Sequence, residues 1–260
     1  MNISPRTRCA VTQYRAVGEF TGTTVLLHGF ASDGTTDWPA STWITPLTEI
    51  GRDVIVPDLP GHGRSIPLAV PGPFTTSMIL AELEAVLKSA RPGSVDIVGY
   101  SLGARLGWDL VRMTGQTVHK VVLGGLNPQE PFRNVDIAQV KSHAVSATAS
   151  SDPLTATVAM MVTGPGQDTQ SLLKVVAGLA REPFVPTPDA FTVPTLLIGG
   201  ADDTISQGME VLTDLLGDAR AIRIPGDHVS ALQGPHFAAA AIGFLGEEGG
   251  CAPSGTRREG

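Results

Sequence analysis

Six short apolar runs, each stopped by glycine or proline, constrain this chain more than any other feature. Thr24-Val25-Leu26-Leu27 ends at His28-Gly29, and Val54-Ile55-Val56 ends at Pro57-Asp58. Val95-Asp96-Ile97-Val98 ends at Gly99, and residues 120–123 end at Gly124-Gly125. Residues 195–198 end at Gly199-Gly200, and residues 221–224 at Pro225-Gly226. Continuous apolar runs of this length suit strands buried on both faces. Between them lie stretches with helical spacing. In residues 75–90, Ile79, Leu83, Val86 and Leu87 recur on one face while Glu82 and Glu84 face outward. Strand, helix and strand in repeated alternation predict an α/β fold with a mostly parallel sheet. Residues 11–17 add one edge strand.

Residues 127–193 break the alternation. They are too long for one crossover and hold three helix-like pieces, near 136–149, 154–163 and 169–181, punctuated by prolines such as Pro128, Pro153 and Pro165. The reading is a helical cap inserted into a core made of residues 1–126 and 194–246. The tail, 247–260, is rich in glycine and charge and is expected to be disordered.

Composition bounds the rest. The chain has 260 residues, 42% hydrophobic and 17% charged. A chain of this size buries about 70% of its unfolded surface, enough for one large core, and its composition excludes a disordered protein. A net charge of −7 lacks the basic footprint of a nucleic-acid binder. No run reaches the ~20 apolar residues of a membrane span, and the start has no apolar signal region, so a cytoplasmic location is expected. Cys9 and Cys251 read as two thiols rather than a bridge. With no H-E-x-x-H, no C-x-x-C, no phosphate loop and no dinucleotide fingerprint, neither a metal nor a cofactor is implied.

The chemistry centres on Gly99-Tyr100-Ser101-Leu102-Gly103, a G-x-S-x-G pattern between a strand run and a helix run. A turn this tight has no room for side chains at its flanks, and it leaves the serine hydroxyl exposed over a helix N-terminus. Serine becomes a nucleophile only when a base takes its proton. Beyond the cap lie His228 and His236. His228 is in Gly226-Asp227-His228, a loop at the C-terminal end of a strand run where catalytic groups of open parallel sheets gather; His236 starts the last helix. A carboxylate must orient such a base. Asp202 and Asp203, in a loop after another strand run, are the candidates. Tyr100, Arg105, Met160 and Met161 are candidate substrate contacts. His62 reads as a packed loop residue, and Trp38, Trp43 and Trp108 as core.

These residues, in this order, resemble the α/β-hydrolase superfamily. The resemblance rests on His28-Gly29-Phe30, the segment Asp58-Leu59-Pro60-Gly61-His62-Gly63-Arg64-Ser65, the Ser101 elbow, Gly200-Ala201-Asp202-Asp203 and Gly226-Asp227-His228. It implies Ser101 as nucleophile, His228 as base and, by its G-x-x-D spacing, Asp203 as the orienting carboxylate. It also implies an oxyanion hole from the backbone N–H groups of Phe30 and Leu102. The expected activity is hydrolysis of a small to medium carboxylic ester, thioester or lactone with an apolar acyl group. Ser101-Leu102-Gly103-Ala104-Arg105 with His28-Gly29-Phe30 is also similar to the pyruvate-eliminating SHCHC synthases of menaquinone synthesis, whose arginine position Arg105 matches. In that reading Arg133 and Arg181 would meet substrate carboxylates, although Ala104 departs from that family's usual glycine. A non-catalytic ligand receptor on the same scaffold is the third reading.

Overall fold

The computed structural model describes residues 9–114 and 118–247. Cys251 and the tail predicted to be disordered lie outside the described residues, apart from Glu247. Seven strands form one sheet: β1 Val11–Tyr14, β2 Gly22–Leu27, β3 Arg52–Pro57, β4 Val95–Tyr100, β5 Val118–Gly124, β6 Thr195–Gly200 and β7 Ala219–Ile224. Their order is β1-β3-β2-β4-β5-β6-β7. Only the β1–β3 pairing is antiparallel. The predicted edge strand therefore exists, three residues shorter at its end.

The apolar runs follow from burial on both faces. Val25 and Leu27 of β2 join one core cluster, and Leu26 joins the other; Ile97 and Val98 of β4 divide in the same way. With successive side chains on opposite faces, each residue of such a strand meets a core. Asp96 interrupts the β4 run because it pairs, across β2, with the buried Arg52 of β3.

Among the described residues nine α-helices flank the sheet: α1 Gly34–Asp37, α2 Thr45–Glu49, α3 Thr76–Leu87, α4 Leu102–Thr114, α5 Ile137–Ser146, α6 Pro153–Val162, α7 Thr169–Arg181, α8 His228–Gln233 and α9 Pro235–Gly246. A π-helical turn, Ala40–Ile44, joins α1 to α2. Helices α5, α6 and α7 occupy the stretch that breaks the alternation, and each starts where an aspartate caps it: Asp136, Asp152 and Asp168 accept backbone N–H bonds. This segment is fastened to the loop after β3. The Leu68 N–H donates to Ser171 Oγ over 2.8 Å, and Lys174 Nζ donates to the Leu68 carbonyl over 2.7 Å. Trp38, Trp43 and Trp108 are all buried, as the sequence suggested.

Candidate active site

Ser101 stands between β4 and α4. Its N–H continues the sheet by donating to the Gly124 carbonyl over 2.8 Å, and its own carbonyl accepts from Arg105 N at 3.0 Å, starting the helix. Making both bonds requires a sharp reversal, and Ser101 has φ of +52°. That conformation is strained for a residue with a side chain and is held only by its surroundings. The two flanking glycines are demanded by space. A Cβ on Gly103 would lie 2.0 Å from the Leu27 carbonyl oxygen, and one on Gly99 would lie 2.4 Å from the Gly103 carbonyl oxygen.

His228 is the first residue of α8, whose N-terminus is closed by a capping box between Asp227 and Ser230. The ring's Nδ1 lies 2.9 Å from Asp203 Oδ2. Asp203 sits in the turn after β6 and is fully buried at its side chain. Its other oxygen, Oδ1, accepts from the Ile205 and Ser206 N–H groups at 2.9 and 3.3 Å. Burial opposes ionisation of this carboxyl, but the hydrogen bond and charge of His228, with bonds from Ser206 and Ile205, outweigh it and hold its pKa below the ordinary value. An ionised carboxylate only accepts, so Nδ1 carries the ring proton and Nε2 is left as an acceptor.

Ser101 and His228 line one cavity of about 400 Å³. Leu102 and Phe30 line it too. As first residue of α4, Leu102 carries one of the N–H groups that a helix leaves without an intrahelical partner. Phe30 follows β2 in a loop braced on both sides. His28 donates from Nδ1 to the Gly29 carbonyl (2.8 Å) and accepts the Leu59 N–H at Nε2 (2.8 Å). Asp37 Oδ2 accepts the Gly29 N–H at 2.7 Å, and its Oδ1 accepts Ser32 Oγ. Burial pushes the His28 pKa down, matching a neutral ring that uses both nitrogens.

Of the other expected contacts, Arg105 and Met161 line the cavity, and Tyr100 and Met160 do not. Tyr100 is buried in the opposite core, where its hydroxyl donates to the His228 carbonyl over 2.7 Å. Burial, and then the nearby carboxylates of Asp203, Asp37 and Asp227, raise its pKa and keep it a donor. Its role is to hold His228 from behind. Met160 is 61% exposed. The cavity face of α6 consists of Leu154, Thr157, Val158 and Met161, the i, i+3, i+4, i+7 spacing of one helix face, and Met160 falls off it. Arg133 and Arg181 are exposed and outside the lining. Asp202 is exposed, beside the buried Asp203.

Three neighbours of the site were not among the sequence candidates: Asp37 and Glu130, which carried no signal, and Gly125. Gly125 has φ of +59°, and a Cβ there would lie 2.9 Å from His228 Cε1. A glycine following a strand run was the only available hint. Among the described residues no group of three His, Cys, Asp or Glu side chains could hold a metal ion, and no helix is long and apolar enough to cross a membrane.

Comparison with known proteins agrees with this architecture. Residues 23–149 match the family model described as the alpha/beta hydrolase fold. An esterase of Mycobacterium tuberculosis is 26% identical over 156 residues, covering 58% of this chain and 50% of that protein. The chain thus spans about half the length of that curated relative, and less of two others. Among solved structures, MenH from S. aureus superposes with a TM-score of 0.69 at 23% identity, over 90% of this chain and 97% of that one. The enol-lactonase from Burkholderia xenovorans LB400 gives 0.70 at 16% identity, over 92% and 96%. At these identities the structural likeness speaks for the fold.

Proposed function

We propose that this chain, whose residues 23–149 match the alpha/beta hydrolase fold family model, is a serine hydrolase acting on a small to medium carboxylic ester, thioester or lactone. The observation that carries the reading is the Asp203–His228 hydrogen bond behind a cavity that also holds the strained Ser101. Substrate enters under helices of residues 127–193, which act as a cap. His228 Nε2 takes the Ser101 hydroxyl proton as Oγ attacks the substrate carbonyl. The Phe30 and Leu102 N–H groups bind the oxyanion. The tetrahedral adduct collapses, the C–O or C–S bond breaks, and the leaving group takes the proton from His228. Water then gives a proton to His228 and attacks the acyl-enzyme, and the free acid leaves as the proton returns to Ser101.

The sequence relatives include an esterase, which supports acyl-transfer chemistry, while the fold is shared by an enol-lactonase and by MenH alike. The lyase reading asks for cations that meet substrate carboxylates. Arg133 and Arg181 lie outside the cavity, and Arg105 is already paired with Glu130, so hydrolysis is favoured. The test is pre-steady-state cleavage of p-nitrophenyl butyrate. A burst of p-nitrophenol equal to the enzyme concentration, absent in Ser101→Ala, is expected. Equal turnover by the variant and the native protein would refute the reading.

A further inference from the structure

The charge balance of the cavity has a consequence for which acyl groups can enter. Its ionisable lining consists of His228, Arg105 and Glu130. Arg105 and Glu130 are nearly sealed from solvent, with side-chain exposures of 5% and 2%, and Arg105 Nε lies 2.7 Å from Glu130 Oε2. Arg105 Nη2 is occupied too, donating to Thr76 Oγ1 at 2.9 Å and to the Glu182 carbonyl at 2.7 Å. Nη1 is buried and has no partner among the described residues. Glu130 is equally committed: it also accepts the Phe132 N–H at 3.2 Å and the Phe184 N–H at 3.1 Å. Among the described residues, Arg105 is the permanent cation that lines the cavity, and it is cancelled by a fixed anion, Glu130, touching the same space.

We infer that this site selects esters whose acyl chain is uncharged and rejects those whose acyl chain carries a carboxylate. The inference rests on the hydrolase reading and narrows it. A carboxylate entering the cavity sheds its hydration, and a buried charge is tolerated only when paired. The single guanidinium has no net charge to offer, and Glu130 repels the newcomer. An uncharged chain incurs neither cost against Phe132, Val158 and Met161. The buried pair serves a second purpose that explains why it is there: it ties α4 to both ends of the cap, through Glu130 at the entry and the Glu182 carbonyl at the exit.

The experiment compares two esters with one leaving group and equal acyl length, p-nitrophenyl pentanoate and mono-p-nitrophenyl glutarate, each rate divided by its alkaline hydrolysis rate. For the native protein kcat/KM should favour pentanoate by about 100-fold, as expected for burying one unpaired charge. Glu130→Gln leaves Arg105 uncompensated, so the preference should shrink at least about tenfold, chiefly by a gain for the glutarate ester. A purely structural role for Glu130 would lower both esters together and leave the ratio unchanged, which overturns the part assigned to the pair. Should Glu130→Gln not fold, the native ratio still decides. Equal turnover of the two esters, or a preference for glutarate, overturns the charge rule and leaves the hydrolase reading standing. Turnover of neither ester, or turnover that survives Ser101→Ala, removes the hydrolase reading and this inference with it.

Discussion

The Gly29 N–H donates to Asp37 Oδ2 across 2.7 Å, both groups buried beneath the loop that carries Phe30. The same carboxylate takes Ser32 Oγ, so one side chain spans the loop from Gly29 to Ser32. Ala31 lies between them with φ of +54°, a conformation that needs such support. An oxyanion donor works only if its direction is set before the reaction. Asp37→Ala should therefore lower kcat of ester hydrolysis by about 10–100-fold with a smaller change in KM, since a misdirected donor costs transition-state rather than ground-state binding. Equal loss in stability-matched controls elsewhere in the core, or a change in KM alone, would count against a positioning role.

In Asp203→Asn the amide oxygen should stay on the Ile205 and Ser206 N–H groups and the NH2 donor should face His228 Nδ1, forcing the ring proton to Nε2 and lowering kcat by about 10⁴-fold. Asp202, exposed one residue earlier, should tolerate the same change. Parallel kinetics of the two variants check this, and a larger loss from Asp202→Asn would contradict it.

Gly103→Ala should prevent the elbow from forming. Its new methyl would stand 2.0 Å from a β2 carbonyl oxygen, and backbone cannot rotate away as a side chain can. The expected penalty exceeds about 4 kcal/mol, in the exceptional range for single substitutions, and urea denaturation reads it. Gly125→Ala is expected to differ in kind. There the methyl meets the movable ring of His228 at 2.9 Å, so activity should fall more than stability.

The central strands β2, β3, β4 and β6 were legible because they are covered on both faces and carry short apolar runs; β1 and β7, partly exposed, offered weaker stretches. The three helices of residues 127–193 were legible from their spacing. Less legible was the stretch from Gly34 to Glu49, where α1, a π-helical turn and α2 are interrupted by Pro39 and Pro46 and the periodicity is lost. Within the site, Ser101 and His228 were marked by motifs at strand ends. Asp202 and Asp203 are the same residue type side by side, so the residues alone left them open; the turn back to Gly200 buries one and exposes the other. Asp37 acts by folding its own loop back onto Gly29 and Ser32, Glu130 acts through contacts made only when distant segments meet at Arg105 and Phe184, and Tyr100 turns away from the cavity because it belongs to the strand face opposite. No local pattern records such meetings.

His62 provides a pH test of the packing around this loop. Burial, and then the neighbouring His28, push its pKa down to about 3 from the ordinary 6.5. Between those values the unfolded chain binds a proton that the folded chain does not, so stability falls as pH drops below 6.5 and stops falling on this account near 3. The slope is at most about 1.4 kcal/mol per pH unit for each such histidine, and His28 adds in the same direction. Carboxylates with ordinary or lowered pKa contribute little above pH 5, and the buried Asp96 and Asp109, whose pKa burial raises, act alike in the native protein and the variant. Urea midpoints measured from pH 6.5 to 5 should therefore fall in the native protein and fall less steeply in His62→Gln, whose amide can still reach the Pro60 carbonyl that His62 Nδ1 contacts at 3.1 Å. Identical slopes would mean that His62 is charged in the folded protein.

The cap's contribution can be read from acyl length. Leu154, Val158 and Met161 present one face of α6 to the cavity, together with Phe132 from the turn before α5. Each methylene moved from water into that space is worth about 0.8 kcal/mol, or roughly a fourfold gain in kcat/KM. Across p-nitrophenyl esters from acetate upward, kcat/KM should climb by that factor per carbon until the cavity of about 400 Å³ is full, and then drop. Met161→Trp should move the optimum to a shorter chain by filling the space first. Met160→Trp, one residue away on the same helix but 61% exposed and off the cavity face, should leave the optimum where it is. If both substitutions shorten the optimum, α6 is rotated from the orientation described; if neither does, the acyl chain lies elsewhere.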